Sequence, residues 1–463
     1  MSEIKSVYFI GIGGIGMSAI ARYYNHEGYK VGGYDRVSTI LTRSLESEGI
    51  AIHYDDDITL ADKDFLDKNS CMVIYTPAIP KEHSELNYFL SNGFTLIKRS
   101  KALGVLTKDK FLIAVAGTHG KTSTSTMTAW MASLSKIEGE NEFGGGSAFL
   151  GGISKNFNSN LVLGRGNCVT VEADEFDRSF LQLYPDIAII SSTDADHLDI
   201  YGNHDILKKT FAEFASQVKS GGTLIYKKGI DLSLPDRKDI NIYTYSICDD
   251  KADFHASDIT LRPDGLYNFN VVTPTCTIKD CTLGIPGLIN VENCTAAIAA
   301  LLTAGCNTDL LRGSIKSFKG VKRRFEVHIN RPNKIYIDDY AHHPRELTAT
   351  IESIRAIYKD KKITAIFQPH LYTRTRDFAA GFSKALSLAD KVILLPIYPA
   401  RELPIEGIES DIILKNITLK EKYLVLKDDL LKSVKDDKNE VIVTFGAGDI
   451  DLFCNPIRDL LNE

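Results

Sequence analysis

The sequence predicts an α/β protein with mostly parallel sheets, divided into about three domains. Three observations carry this. Short apolar runs rich in β-branched residues alternate with helical patterns along most of the chain. Two of these runs lead directly into glycine-containing loops that open helices. The 463 residues, at about 100–200 per domain, are too many for a single core.

The elements follow in order. Residues 7–10 read as a compact strand, followed by glycines and a helix over 17–26. Residues 30–34 and 72–75 read as further strands, the second closed by the turn signal Thr76-Pro77. The charged stretch 106–110 reads as a linker, and a new unit opens with the strand 111–116 and a helix over 123–134. Strands at 168–171, 187–191 and 223–226 belong to it. Alternating Thr, Val, Ile and Tyr over 254–283 predict antiparallel strands, and 290–302 a helix. Gly320-Val321-Lys322-Arg323-Arg324 is the next hinge, with strands at 334–337, 363–367, 391–395 and 441–445 beyond it. The expected domains are 1–107, 108–321 and 322–463.

Composition narrows the function. With 25% charged and 44% hydrophobic residues, the chain has the balance of an ordinary globular protein. A net charge of −6 argues against nucleic acid as a partner. Eight cysteines without Cys-x-x-Cys or zinc-finger spacing read as thiols in a reducing compartment. The first nine residues lack the pattern of a signal peptide. Apolar runs fall short of the roughly 18 residues that span a membrane. The expectation is a cytoplasmic protein with no membrane partner; monomer and homodimer both stay open.

Gly11-Ile12-Gly13-Gly14-Ile15-Gly16 fits G-x-G-x-x-G between a strand and a helix. Glycines let backbone N–H groups approach a diphosphate at a helix N-terminus, and Asp35, about 20 residues on, is placed to meet a ribose. By itself this motif reads as NAD binding, or as a tight turn without ligand.

Gly117-Thr118-His119-Gly120-Lys121-Thr122 follows the strand 111–116 and precedes Ser123 at the start of a helical pattern. Its Gly-Lys-Thr ending is that of a phosphate loop, in which amides cradle phosphates, the lysine reaches the β/γ-phosphates and the threonine hydroxyl meets Mg2+. Val115 stands where a standard Walker loop has its first glycine, so this loop is shorter. The apolar strand 168–171 runs into Glu172-Ala173-Asp174-Glu175, and 187–191 into Asp194-Ala195-Asp196-His197. In an open parallel sheet such strand ends gather at one crevice, which places Glu172 to bind Mg2+. His342-His343 also allows a zinc reading, but adjacent histidines point apart and no third ligand is near in sequence. Gly446-Ala447-Gly448 allows either close approach of a ligand or a plain turn.

Taken in order, these motifs resemble those of the Mur ligases. The match also includes Asp196-His197-Leu198-Asp199, Asn290-Val291-Glu292-Asn293, Arg323-Arg324-Phe325, Asp338-Asp339-Tyr340-Ala341-His342-His343-Pro344 and Gln368-Pro369-His370. The resemblance implies a Rossmann-like UDP-binding domain, a central phosphate-loop ATPase domain and a Rossmann-like C-terminal domain. It implies an ATP- and Mg2+-dependent ligase that joins the carboxylate of UDP-N-acetylmuramate to L-alanine through an acyl phosphate. The first glycine loop, with Gly11, Gly13, Gly14, Ile15, Gly16 and Asp35, would then hold a UDP-sugar rather than NAD. Residues 117–123, Asn293, Arg324 and Asp339 would meet ATP, and Thr122, Glu172 and His197 the metal. Tyr340, His342, His370 and Arg374 would line the amino-acid side, with His342 as candidate base. Lys121, Glu172, His197, Arg324 and His342 form the implied catalytic set.

The rivals are a recycling ligase that adds a preformed tripeptide and, more remotely, an NAD-dependent oxidoreductase. Four positions depart from the family pattern. Leu371 replaces a common Arg, Tyr54-Asp55-Asp56 a Gly-His step, and Ser192 an Asn. Phe211 stands where sister ligases carry a modified lysine, and Lys208 and Lys209 fall too early.

Overall fold

The computed structural model describes residues 4–134, 146–234, 236–400 and 402–463, the side chains of Leu198 and Asp199 excepted. Three α/β domains are present, each built on a sheet. The first sheet contains β1 (Ser6–Ile10), β2 (Lys30–Tyr34), β3 (Ala51–His53), β4 (Cys71–Tyr75) and β5 (Thr95–Lys98). Its order is β3-β2-β1-β4-β5 and every pair is parallel. β1 lies at the centre with all five residues buried, which is why it reads as a continuous apolar run rather than an alternation.

The second sheet contains β6 (Phe111–Ala116), β7 (Ser147–Ser154), β8 (Ser159–Val162), β9 (Cys168–Glu172) and β10 (Ile187–Ile190), then β11 (Thr223–Lys227), β12 (Asn241–Ser246), β13 (Phe254–Leu261), β14 (Tyr267–Val272) and β15 (Thr277–Thr282). The order is β15-β14-β13-β12-β11-β10-β6-β9-β7-β8. β6 pairs in parallel with β9 on one side and β10 on the other. The third sheet contains β16 (Glu326–Arg331), β17 (Lys334–Asp339), β18 (Ile363–Phe367), β19 (Lys391–Leu394), β20 (Glu421–Leu424) and β21 (Val441–Phe445), in the order β16-β17-β21-β18-β19-β20. Only β16 is antiparallel to its neighbour there.

Packing divides the chain into two compact units. One comprises Met1–Ile259, Phe269–Gly284 and Glu292–Lys319; the other comprises Thr260–Asn268, Ile285–Val291 and Gly320–Glu463. The first unit holds the first sheet and nearly all of the second, and one apolar core runs through both, from Val7 and Phe9 to Ala114, Val171 and Ile190.

The long buried strands stand where the apolar runs place them. The short strands β3, β5, β8 and β20, and the glycine-interrupted β7, carry too little pattern to be read from sequence. The stretch 106–110 is only partly a linker: the helix Arg99–Thr107 runs into it, with the Thr107 hydroxyl bonded to the Leu103 carbonyl at 2.9 Å.

Within the first unit, Asn160 of β8 reaches the helix Ile15–His26 that follows the first glycine loop. Its amide donates to the Ile15 carbonyl at 2.6 Å and to the Ser18 hydroxyl at 2.9 Å. Its oxygen accepts from the Arg22 guanidinium, which also binds Glu48 at 2.6 Å. Asn160 is fully buried, so replacing it leaves donors and acceptors without partners inside the protein. Asn160→Leu is therefore expected to destabilise the first unit by about 1–3 kcal/mol, measured as a lower urea midpoint; an unchanged midpoint would show that water replaces these bonds.

Candidate active site

The first glycine loop runs from the end of β1 to the helix Ile15–His26, whose N-cap residue is Gly14. Gly13 N–H donates to Asp35 Oδ2 at 2.7 Å. A Cβ on Gly13 would lie 2.6 Å from Thr42 Cγ2 and 2.8 Å from Asp35 Oδ2, so only glycine fits. Asp35, just past β2, also accepts from Val37 N–H at 3.2 Å, so its carboxylate closes the loop on itself. Arg99 stands against Gly16, 2.7 Å from where a Cβ would be, and its guanidinium binds Asp174 at 3.0 Å.

At the same end of that sheet, Tyr8 O–H donates to Glu85 at 2.7 Å and also meets His53 Nε2 at 2.7 Å. Burial, partly offset by the Tyr8 hydrogen bond, pushes the Glu85 carboxyl up to about 7. Asp56, from the divergent Tyr54-Asp55-Asp56 step, accepts from Ser84 N–H at 2.8 Å and Glu85 N–H at 3.1 Å at the start of the helix Ser84–Ser91.

The second loop leaves β6 and enters the helix Lys121–Leu134, with Thr122 and Ser123 in its first turn. Gly117 has φ +131°, and a Cβ there would lie 2.2 Å from the Ser191 hydroxyl. The loop is tied to the end of β10. Ser192 Oγ accepts from His119 N–H at 2.8 Å and lies 2.8 Å from Thr118 Oγ1. The Ser191 hydroxyl donates to the Ala116 carbonyl at 3.1 Å. His119 Nε2 lies 3.5 Å from Asp194. Asn293, in the helix Leu288–Thr303, stands 2.8 Å from where a Cβ on Gly120 would be.

Lys121, Glu172 and His197 converge here. Lys121 Nζ donates to the Gly117 carbonyl at 2.6 Å and to Glu175 at 2.9 Å. Burial draws the Lys121 pKa down, but Glu175, Glu172 and Asp174 outweigh it and hold the ammonium above its usual range. His197 Nε2 lies 3.7 Å from Glu175 Oε1, in a residue with φ +50° whose ring packs edge-on against Phe176. The Glu172 carboxylate accepts from Gly151 N–H at 3.1 Å. Thr122 and Glu172 offer hard oxygens and His197 an imidazole, a donor set suited to a divalent cation shared with phosphate oxygens. Phe211 is fully buried, 5.3 Å from the Phe180 ring, and Lys208 pairs with Asp231 at 2.8 Å.

The second unit carries its own cluster. Arg324 lies over the Tyr340 ring at 4.9 Å, while Arg323 is tied to Asp338 at 2.9 Å and to the Gly446 carbonyl at 2.8 Å. His342 Nδ1 meets the Tyr340 carbonyl at 3.0 Å and lies 3.5 Å from Glu346. The His370 ring stacks on Tyr398 at 5.8 Å, lies 6.3 Å from His342, and meets Arg374 at 3.4 Å. Leu371, with φ +69°, is buried at the N-cap of the helix Tyr372–Leu386, and Arg376 pairs with Asp377 at 2.7 Å. His343 caps the helix Pro344–Ile357 by accepting from Arg345 N–H. Gly448 backs onto Tyr398, where a Cβ would lie 2.7 Å away.

Three family models match in register with the three sheets. Residues 6–111 match the Mur ligase family catalytic domain, 115–301 the Mur ligase middle domain, and 323–448 the Mur ligase glutamate ligase domain. The chain belongs to the Mur ligase family. The UDP-N-acetylmuramate–L-alanine ligase of Flavobacterium psychrophilum is 48% identical over all of this chain and 99% of its own. That of Phocaeicola vulgatus is 46% identical with the same coverage. The solved UDP-N-acetylmuramate-alanine ligase of Thermotoga maritima superposes with a TM-score of 0.82 at 27% identity, over 99% of each chain.

In this Mur ligase the sequence brings Lys121, Thr122, Glu172, His197 and Asn293 to one neighbourhood, and Arg324, Asp339, Tyr340, His342, His370 and Arg374 to another. It left Glu175, Asn160, Arg99 and Tyr398 unread. Glu175 lies in a motif whose other acids face differently, and Asn160 and Tyr398 act through partners remote in sequence.

Asp339 ends β17, accepting from the Thr350 hydroxyl at 2.7 Å and Ala341 N–H at 3.0 Å. Burial lifts its carboxyl from 3.8 to about 6, with the Thr350 hydrogen bond and Arg324 pulling the other way. The folded form keeps its proton at higher pH than the unfolded chain. The resulting stability is full below 3.8 and is lost as pH rises through about 6. Asp339→Asn removes this titration. Between pH 4 and 7 its stability relative to the parent is expected to rise by up to about 3 kcal/mol, read from urea midpoints; parallel pH curves would show that Asp339 titrates normally.

Proposed function

We propose that this Mur ligase joins L-alanine to the lactyl carboxylate of UDP-N-acetylmuramate, hydrolysing ATP to ADP and phosphate, in the cytoplasm. The observation that carries this is the convergence of Lys121, Glu172 and His197 at the ends of three neighbouring strands, in a chain that matches alanine-adding relatives end to end.

A carboxylate resists attack by an amine because oxide is a poor leaving group. The carboxylate oxygen attacks the γ-phosphorus of ATP, ADP leaves, and an acyl phosphate forms. The amine of alanine then attacks the acyl carbon, and the tetrahedral intermediate expels phosphate to leave the amide. Lys121 offsets charge on the phosphoryl oxygens, a task that the resemblance to Mur ligases also gives to Arg324. The amides of 117–120 cradle the phosphates, Asn293 faces the adenine, and Asp339 serves the nucleotide. Thr122, Glu172 and His197 would hold Mg2+, which when bound supplies positive charge against the triphosphate. The loop 11–16, shaped by Asp35, receives the UDP diphosphate at a helix N-terminus.

Tyr340, His370 and Arg374 orient the amino acid, Arg374 as the cation for its carboxylate. Leu371 removes one cation from that side, which leaves Arg374 as the main determinant. His342 takes the proton that the ammonium must lose before it attacks, a task suited to an imidazole.

ADP release should require both UDP-N-acetylmuramate and L-alanine, with glycine, L-serine and a preformed tripeptide as slower or inert comparators. Activity with the tripeptide alone would assign the chain to recycling instead. With 18O in the sugar carboxylate, one label should appear in the released phosphate; unlabelled phosphate would exclude the acyl phosphate. Lys121→Ala should lower turnover by about a hundred- to a thousandfold, the scale of removing one transition-state charge contact. Its urea midpoint should fall, because Glu175 loses its counter-ion; a folded variant with turnover within about tenfold of the parent's would contradict the role given to this lysine.

A further inference from the structure

Glu175 has no part in the reaction as derived, yet it is the closest acid to the phosphate-loop lysine. It is fully buried, and its two oxygens lie 2.9 and 2.8 Å from Lys121 Nζ. The same ammonium donates to the Gly117 carbonyl at 2.6 Å. An ammonium has three protons. Hydrogen bonds to the Gly117 carbonyl and Glu175 Oε1, with Glu175 Oε2 in ionic contact, therefore already hold the charge that the nucleotide phosphates need. Glu175 is held from behind: its carbonyl accepts from the Tyr201 hydroxyl at 2.6 Å and from Arg178 N–H at 3.0 Å. Asp177 and Arg178, which follow it, have φ of +52° and +54°, so the backbone turns sharply at this point. Lys121 is the flexible member of the pair, with four methylenes between its ammonium and its backbone.

We propose that Glu175 is a positioning residue that parks Lys121 against the loop and competes with nucleotide phosphate for it, so that the pair sets the affinity of loop 117–122 for its ligand. The proposal rests on the reading of that loop as the nucleotide site. The parked pair gives the loop lysine a counter-ion inside the protein, where an uncompensated charge is strongly unfavourable. A nucleotide must separate the pair before Lys121 can serve it, and that fraction of binding energy is lost from apparent affinity.

The test is calorimetric titration of the full chain with ADP in EDTA, which separates binding from metal and turnover. Glu175→Gln keeps the size of the side chain but removes its charge. It is expected to bind ADP about tenfold more tightly than the parent, the scale of removing a modest competing state. Its unliganded melting temperature should fall, and ADP should raise it by more than in the parent. Glu175→Asp keeps the charge but shortens the reach by one methylene, so it should tighten binding to an intermediate degree.

In a Lys121→Ala background, Glu175→Gln should leave ADP affinity unchanged, read by displacement of a fluorescent nucleotide. Equal tightening in that background would mean simple repulsion between Glu175 and phosphate, and would overturn the proposal. Weaker binding by Glu175→Gln would overturn it too, because Glu175 would then present Lys121 productively. If Glu175→Gln does not fold, an Asp variant no tighter than the parent has the same consequence. Failure of the parent to bind ADP would instead remove the nucleotide reading of the loop, and this proposal with it.

Discussion

Val115 stands opposite Glu172 in the β6–β9 ladder, and Ala116 stands opposite Ile190 in the β6–β10 ladder. Three parallel strands therefore end at one level, and the segment leaving each one enters the same small volume. The phosphate-type loop leaves β6, the acidic stretch ends β9, and the segment to His197 leaves β10. A shift of one residue in either ladder would turn the strand's side chains to the opposite face of the sheet and scatter the three groups. Because these strands are buried along almost their whole length, their register is held by close packing of side chains rather than by a polar face.

In each unit inward-facing charge is compensated at short range. Lys121 faces Glu175, Arg99 faces Asp174, and Arg323 faces Asp338. Pairs of this kind contribute little to net stability relative to an apolar core, but removing one partner is costly. Their value lies in geometry. Arg99 and Asp174 connect the surroundings of the first glycine loop to the acidic stretch of the second sheet, while Asn160 fixes the helix behind that loop. In the other unit, Arg323 binds Asp338 and the Gly446 carbonyl, and both it and the adjacent Arg324 lie over the Tyr340 ring.

What was legible in the sequence was whatever needs continuous burial or a special loop. The central strands of all three sheets announce themselves as apolar runs, and Lys121, Glu172, His197 and His342 each stand one to seven residues past such a run, whereas Arg324 stands in the hinge before one and was reached only through the family resemblance. Short edge strands were not legible: β3 has three residues and β20 four, too few to show a period. Nor was the difference between Glu172 and Glu175. The apolar run marks only Glu172, at the strand end, and nothing local shows that the loop beyond it brings Glu175 onto the lysine. Asn160 and Tyr398 were hidden for another reason: their partners, Ile15 and His370, are far away in the chain, and nothing local marks them.

The central claim is that Lys121, Thr122, Glu172 and His197 share one metal-bound triphosphate. Crystals grown with Mn2+ and a non-hydrolysable ATP analogue test it most directly, because manganese is located by its anomalous scattering. The account predicts a manganese peak within coordination distance of Thr122 Oγ1 and Glu172, with Lys121 Nζ on a phosphate oxygen. An analogue bound at residues 11–16, or a peak remote from Glu172 and His197, would contradict it.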